Sequence, residues 1–168
     1  MRLRAGGISR AAMKLEEAAL VFGLDLRGPG IAVDLGASPG GWSLVLAQRG
    51  YRVIAVDPAK LDPELARNPH IDHRKQTAEA YFDGSPTAAD LLVNDMRMDA
   101  VESAEVTLRG RASLKPGGLA VVTLKLPEGR PAQAAERAIA RLRKGFDLVA
   151  ARQLFHNRSE VTLALRRP

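Results

Sequence analysis

Short apolar runs alternate along the chain with stretches of helical spacing, and the alternation predicts an order of elements. Ala12, Leu15, Ala19 and Phe22 recur at helical spacing. Ser9 suits an N-cap before them and Gly23 a stop after them, so the first helix is expected over about 10–22, with residues 1–7 loose. The run 31–35 reads as a buried strand, and a helix pattern starts at Gly41 and carries Trp42, Val45 and Leu46. A second strand is predicted at 52–56, a weak helix at 62–67 and a short third strand at 70–74, where Ile71 is the one strong strand former. A fourth strand at 89–93 leads to a helix at about 100–113, then a turn at 114–118. The strand at 119–124 is nearly all apolar and so reads as central. Pro131 and Gly145 bracket a basic amphipathic helix, and the runs 146–154 and 160–165 follow with no helix between them.

Alternating strands and helices build a mostly parallel sheet with helices on both faces. The last two strands, joined by 155–159, are too close in sequence for a crossover and should pair antiparallel. The expected architecture is therefore α/β and Rossmann-like: seven strands, mostly parallel, the last one antiparallel. At 168 residues, with neither repeats nor low-complexity tracts, one domain over 1–168 is the simplest organisation. Ligands in such sheets bind beyond the carboxyl ends of the strands, near the switch point. Gly36, Asp57, Asp95 and Lys125 all fall at those ends.

Composition changes this picture little. Hydrophobic residues make up 46% and charged residues 26%, as in ordinary globular chains. No apolar run reaches membrane-spanning length, and no signal-type segment follows Met1-Arg2-Leu3-Arg4, so the cytoplasm is the default location and a monomer the default state. The lack of Cys excludes a disulfide framework and a thiolate metal site, and no metal is expected. A net charge of +6 suits a polyanion such as RNA. Aromatics at 4% argue against a single-strand-binding platform of stacked rings.

The candidate chemistry begins at Gly36-Ala37-Ser38-Pro39-Gly40-Gly41-Trp42, between the first strand and the second helix. Glycines let a backbone approach a ligand closely, and a helix start offers free N–H groups. The spacing is not the dinucleotide G-x-G-x-x-G, since Ser38 stands where a glycine would. S-adenosylmethionine (SAM) carries no pyrophosphate and needs room for an adenosine and an amino-acid tail. Asp57 ends the second strand, where a carboxylate accepts ribose hydroxyls. Lys125 is the most unexpected residue, a cation at the end of a buried strand.

Five segments then match a known pattern in order: Ser9-Arg10 to Lys14-Leu15-Glu16-Glu17-Ala18, Asp34 to Trp42, Asn94-Asp95-Met96, Leu124-Lys125-Leu126-Pro127, and Arg152-Gln153-Leu154-Phe155-His156-Asn157-Arg158-Ser159-Glu160-Val161-Thr162. They resemble the FtsJ (RrmJ) family of SAM-dependent RNA ribose 2′-O-methyltransferases, and within it the RlmM branch, which methylates a cytidine ribose of large-subunit ribosomal RNA. The resemblance implies a class I SAM-dependent methyltransferase fold. It places the family's Lys-Asp-Lys-Glu tetrad on Lys14, Asp95, Lys125 and Glu160, with Lys125 as the base toward the ribose 2′-hydroxyl, Asp95 orienting it near the methyl donor, and Lys14 and Glu160 positioning the ribose. Backbone at Gly36, Ser38 and Gly40 is expected to hold the methionine end, within the loop of Gly36, Ala37, Ser38, Pro39, Gly40 and Gly41. Trp42 would pack beside it and Asp57 would take the ribose. Where the family places an adenine-binding Asp, this chain has Thr77, with Asp72 the nearest upstream carboxylate.

The RlmM-type enzymes carry a preceding RNA-binding domain that this chain does not show. Substrate selection is therefore expected to rest on surface cations such as Arg10, Arg97, Arg130 and Arg158, or on a partner. Two other readings stay open: a non-catalytic RNA-binding or assembly protein that keeps a SAM fold, and a SAM methyltransferase with a non-RNA substrate. Base methylation is disfavoured because Asn94-Asp95-Met96 lacks the aromatic N-P-P-[YF] clamp.

Overall fold

The apolar runs become the strands of one sheet. The computed structural model describes residues 7–168, and among them six helices and seven strands follow in the order α1 (Gly7–Phe22), β1 (Gly30–Leu35), α2 (Gly41–Gln48), β2 (Tyr51–Val56), α3 (Pro63–Ala66), β3 (Ile71–Arg74), α4 (Ala78–Asp83), β4 (Ala89–Asn94), α5 (Ala100–Gly110), β5 (Leu114–Lys125), α6 (Pro131–Leu142), β6 (Asp147–Arg152) and β7 (Glu160–Arg166). The strand order is β3-β2-β1-β4-β5-β7-β6. Strands β1 to β5 pair in parallel, and β7 runs antiparallel to both β5 and β6. This is the expected Rossmann-like sheet, with chain direction reversing only in its last strand.

Side-chain alternation along each strand divides the core in two. Ala32, Val53, Ala55, Leu91, Val93 and Val121 pack against α1, α2 and the Leu65 of α3. Val33, Leu35, Ile54, Leu92, Val122 and Leu124 pack against α4, α5 and α6. The inner strands are buried on both faces, which is why they read as continuous apolar runs rather than as alternating ones. No described helix is long and apolar enough to cross a membrane.

Three elements differ from expectation. Helix α1 already includes Gly7, so Ser9 lies inside it rather than capping it, while the expected loose stretch falls, through residue 6, outside the described residues. Helix α4 stands where periodicity predicts none, because six residues are too few to show a period; the Thr77 hydroxyl starts it by accepting the Ala80 N–H at 3.2 Å. Strand β5 begins at Leu114 rather than 119. The Pro116-Gly117-Gly118 stretch, read from sequence as a turn, is absorbed into the strand as an irregularity where the β4 pairing shifts register and Gly117 adopts φ +77°.

Candidate active site

The order β1-β4 places the switch point between two strands whose carboxyl ends carry the Gly36 loop and Asp95. A cavity of about 540 Å³ opens there. It is bounded by α1 through Arg10 and Lys14, by the loop residues Gly36, Ala37, Ser38, Pro39 and Gly41, and by Trp42, Asp57, Thr77, Asp95, Arg97, Lys125 and Glu160.

Four charged side chains from four elements meet at its rim. Lys125 Nζ donates to Asp95 Oδ1 at 2.6 Å and lies 3.3 Å from Glu160 Oε1. Lys14 Nζ lies 3.3 Å from Asp95 Oδ1 and 2.9 Å from Glu160 Oε2. Two cations and two carboxylates thus form a closed ring of alternating charge, each side chain only 11–21% exposed. Part-buried charges of this kind persist because each is paired; removing one leaves its partners unbalanced. The backbone explains the meeting. Lys125 and Glu160 are direct partners in the β5–β7 ladder, Asp95 follows β4 beside β5, and α1 lays Lys14 across them.

Two further residues complete the cluster. Thr123, two positions before Lys125 and so on the same strand face, donates its hydroxyl to Asp95 Oδ1 and accepts from Lys125 Nζ at 2.9 Å. Buried Asn157 donates to Glu160 Oε2 at 3.3 Å, while its Oδ1 accepts the Leu154 N–H at 2.8 Å and the Thr162 hydroxyl at 3.0 Å. Strand period could have pointed to Thr123. Nothing in the spacing marks Asn157.

The glycine loop is tighter than its sequence suggests. Gly36 has φ +70°, and a Cβ there would collide with Met96 Cγ. The Gly36 N–H is already donated to the Val56 carbonyl at 2.9 Å, and the Ser38 N–H to Asp57 Oδ2 at 3.0 Å. Both residues border the cavity, but these two N–H groups tie the loop to the end of β2 and to Asp57 after it, which leaves their carbonyls as the backbone groups open to a ligand. Gly40 is reassigned. It does not border the cavity; at φ 124° it precedes α2, where a Cβ would strike Leu65. The donors left for an anion are the Gly41 and Trp42 N–H groups, ahead of the first intrahelical bond from Leu44 to Gly40 (2.9 Å).

Trp42 is 3% exposed and both borders the cavity and joins two helices, its indole N–H donating to the Ala11 carbonyl of α1 at 2.6 Å. Asp57 Oδ1 accepts the Ala59 N–H at 2.8 Å, so its carboxylate is oriented from both sides while one edge still faces the cavity. Thr77 reaches the cavity as the cap of α4, with Glu79 beside it, whereas Asp72 is turned away and bound to Arg74 at 2.9 Å. Arg10 and Arg97 are exposed at the rim. Arg130, which caps α6, and Arg158 are exposed away from it.

Asp34 stands near the end of β1, two positions before Gly36. It lies 1% exposed under the loop, and its Oδ2 accepts the Ser43 hydroxyl at 2.7 Å. Burial pushes its carboxyl up to about 7; the Ser43 hydrogen bond opposes the shift, and the Asp95 and Asp57 charges add to it. Among the described residues, no cluster of His, Cys, Asp and Glu is arranged for a metal.

A doubly wound sheet with an antiparallel strand inserted next to its edge, a glycine loop at the switch point and a carboxylate facing the cavity after β2 make the fold and site of a Rossmann-like methyltransferase. The FtsJ-like methyltransferase family profile matches residues 8–159, and the chain belongs to that family. It is 35% identical over 170 residues to the "Ribosomal RNA large subunit methyltransferase M" of Halorhodospira halophila, covering 99% of this chain and 49% of that protein. The chain spans about half the length of the curated relatives it matches. Among solved structures, a presumptive hemolysin from Streptococcus thermophilus superposes with TM-score 0.77 at 21% identity, over 99% of this chain and 68% of the other. The fibrillarin pre-rRNA processing protein of Methanococcus jannaschii does so with TM-score 0.71 at 17% identity, over 84% and 68%. At those identities the likeness speaks for the fold alone.

Proposed function

We propose that this chain is the methyl-transferring unit of a SAM-dependent RNA ribose 2′-O-methyltransferase acting on large-subunit ribosomal RNA in the cytoplasm. The observation that carries the reading is the ring of Lys14, Asp95, Lys125 and Glu160 at the mouth of a cavity of about 540 Å³.

The residues present fit SAM. A cavity of about 540 Å³ is of ligand size. Asp57 offers acceptors for ribose hydroxyls, and the Gly41 and Trp42 N–H groups suit a carboxylate. Asp34 supplies a buried acceptor beneath the loop, and Thr77 with Glu79 borders the part of the cavity left for the adenine. When bound, SAM supplies an electrophilic methyl group on a sulfonium.

Lys125 Nζ would take the proton of the 2′-hydroxyl, leaving that oxygen to accept the methyl group that bound SAM would supply. The role requires the free amine, since an ammonium has no lone pair. Asp95 holds both lysines and fixes the direction of Lys125, with Thr123 as a second support. Lys14 and Glu160 bound the place where the ribose lies. Alignment alone accounts for much of the rate, since correct placement of two reacting groups is worth roughly 7–11 kcal/mol. Arg10 and Arg97, exposed at the rim, face the phosphates that flank the target.

The test is incubation of the protein with methyl-labelled SAM and total RNA, followed by mapping of 2′-O-methyl positions. Label in a ribose of large-subunit RNA is expected. Label confined to bases, protein or small molecules would sink the reading.

A further inference from the structure

The most exposed large apolar side chain among the described residues lies in the loop that leads into Glu160 of the charged ring. Phe155 is 88% exposed, in the loop between β6 and β7 and five residues before Glu160. This loop is rigidly built. Glu17 of α1, one helical turn past Lys14, accepts the Phe155 N–H at 2.5 Å, the His156 N–H at 2.9 Å and the His156 ring Nδ1 at 2.7 Å. Hydrogen bonds from the loop amides and ring hold the Glu17 carboxyl below its usual range despite partial burial. On the other side, buried Asn157 accepts the Leu154 N–H, and Leu154 itself is 4% exposed in the core. With Leu154 directed inward and the 155–156 amides bound to α1, the Phe155 ring lies outside the core. It stands in water, edge-on to the His156 ring at a centroid distance of 5.2 Å. Arg152 and Arg158, three positions before and after it in the chain, are also exposed.

We infer that Phe155 is a stacking platform for an unpaired base of the RNA substrate, next to the nucleotide whose ribose is methylated. The inference rests on the RNA reading above and adds a specific contact to it. An exposed aromatic face with arginines nearby in the chain suits a splayed-out base and its phosphates, and sequence-specific recognition of RNA targets single-stranded segments whose bases stack on aromatic side chains. The low aromatic content excludes an extended platform of rings but not a single-base contact. Through Glu17 the loop is attached to α1, which carries Lys14, and it leads into β7, whose first residue Glu160 pairs with Lys125. The rival occupant is a protein segment packing over α1, where Met13 and Leu20 are also exposed. The arginines nearby in the chain and the link to the charged ring favour RNA.

Methyl transfer by the full chain to unmodified large-subunit ribosomal RNA, transcribed in vitro, tests this. Phe155→Ala should raise KM for RNA about 5- to 150-fold, the 1–3 kcal/mol of one base–aromatic stack at 1.4 kcal/mol per tenfold. Calorimetric SAM affinity and Tm should stay at wild-type values. Phe155→Trp and Phe155→Tyr should restore KM to within about threefold, whereas Phe155→Leu should not, because it keeps the apolar bulk but has no π-face. An unchanged KM in Phe155→Ala overturns the inference, as does full rescue by Leu, which would mark an apolar protein contact. A wild-type protein that methylates no RNA overturns the RNA reading itself; a wild type active on ribosomal RNA with an indifferent Phe155→Ala overturns only the platform.

Discussion

Lys125 and Glu160 face each other across the β5–β7 ladder, and their charged atoms lie 3.3 Å apart. The pairing depends on strand direction. Strands β1 to β5 end at the ligand rim, but β7, antiparallel to its neighbours, begins there. Its first residue therefore joins the last residue of β5 and the residue after β4. A carboxylate 146 positions from Lys14 becomes its hydrogen-bond partner for the same reason.

Lys125→Ala is expected to lower methyl transfer to RNA by about 10²- to 10⁴-fold, the usual worth of a general base. SAM affinity, measured by calorimetry, should be unchanged. Lys125→Arg should not restore the rate, because a guanidinium keeps its proton. Near-wild-type turnover in either variant would remove Lys125 from the role of base.

Asp57 both faces the cavity and holds the Ser38 and Ala59 N–H groups. Asp57→Ala should weaken SAM binding tenfold or more, by about 1.4 kcal/mol, and lower the free energy of unfolding by about 1–3 kcal/mol through unpaired amides. Titration calorimetry and denaturant melts separate the two effects. Intact SAM affinity in a destabilised variant would leave Asp57 as a loop anchor only.

Gly36→Ala adds a Cβ against Met96 at a backbone angle of φ +70° that L side chains rarely adopt. A stability loss of about 1–3 kcal/mol is expected. Gly36→Ala/Met96→Ala should recover only part of it relative to Met96→Ala alone, since the second change relieves the collision but not the backbone strain. Full recovery on thermal melting would show that sterics alone set the requirement for glycine.

Asp34 should make stability depend on pH. Its folded-state carboxyl titrates at about 7, above its ordinary 3.8, so the folded protein binds the extra proton between those values. The resulting stabilisation is fully present below about 4 and is lost as pH rises through about 7, by up to roughly 4 kcal/mol. Asp34→Asn can keep the Ser43 hydrogen bond without a titrating group, so it should lack that slope and gain on the wild type between pH 5 and pH 8. Parallel melting curves for the two proteins over that range would show that Asp34 is ionised throughout.

The sequence by itself determined the order of the strands and of every helix but α4, because a strand buried on both faces must be apolar and a glycine loop must interrupt it where a ligand approaches. It also marked Lys125, since a cation ending an apolar run has no place in ordinary packing, and the family resemblance supplied its three partners. Tertiary structure alone decided what those residues touch. The Gly36 N–H is spent on the Val56 carbonyl and the Ser38 N–H on Asp57, because the loop folds back against the end of β2. Thr77 reaches the cavity only as the cap of a helix too short to show a period. Asn157 and the buried Asp34–Ser43 pair join the site through contacts that no spacing encodes. Periodicity reports which face of its own element a side chain occupies; which other element lies against that face is set by sheet order and strand direction, and these bring Lys14, Asp95, Lys125 and Glu160 to one rim.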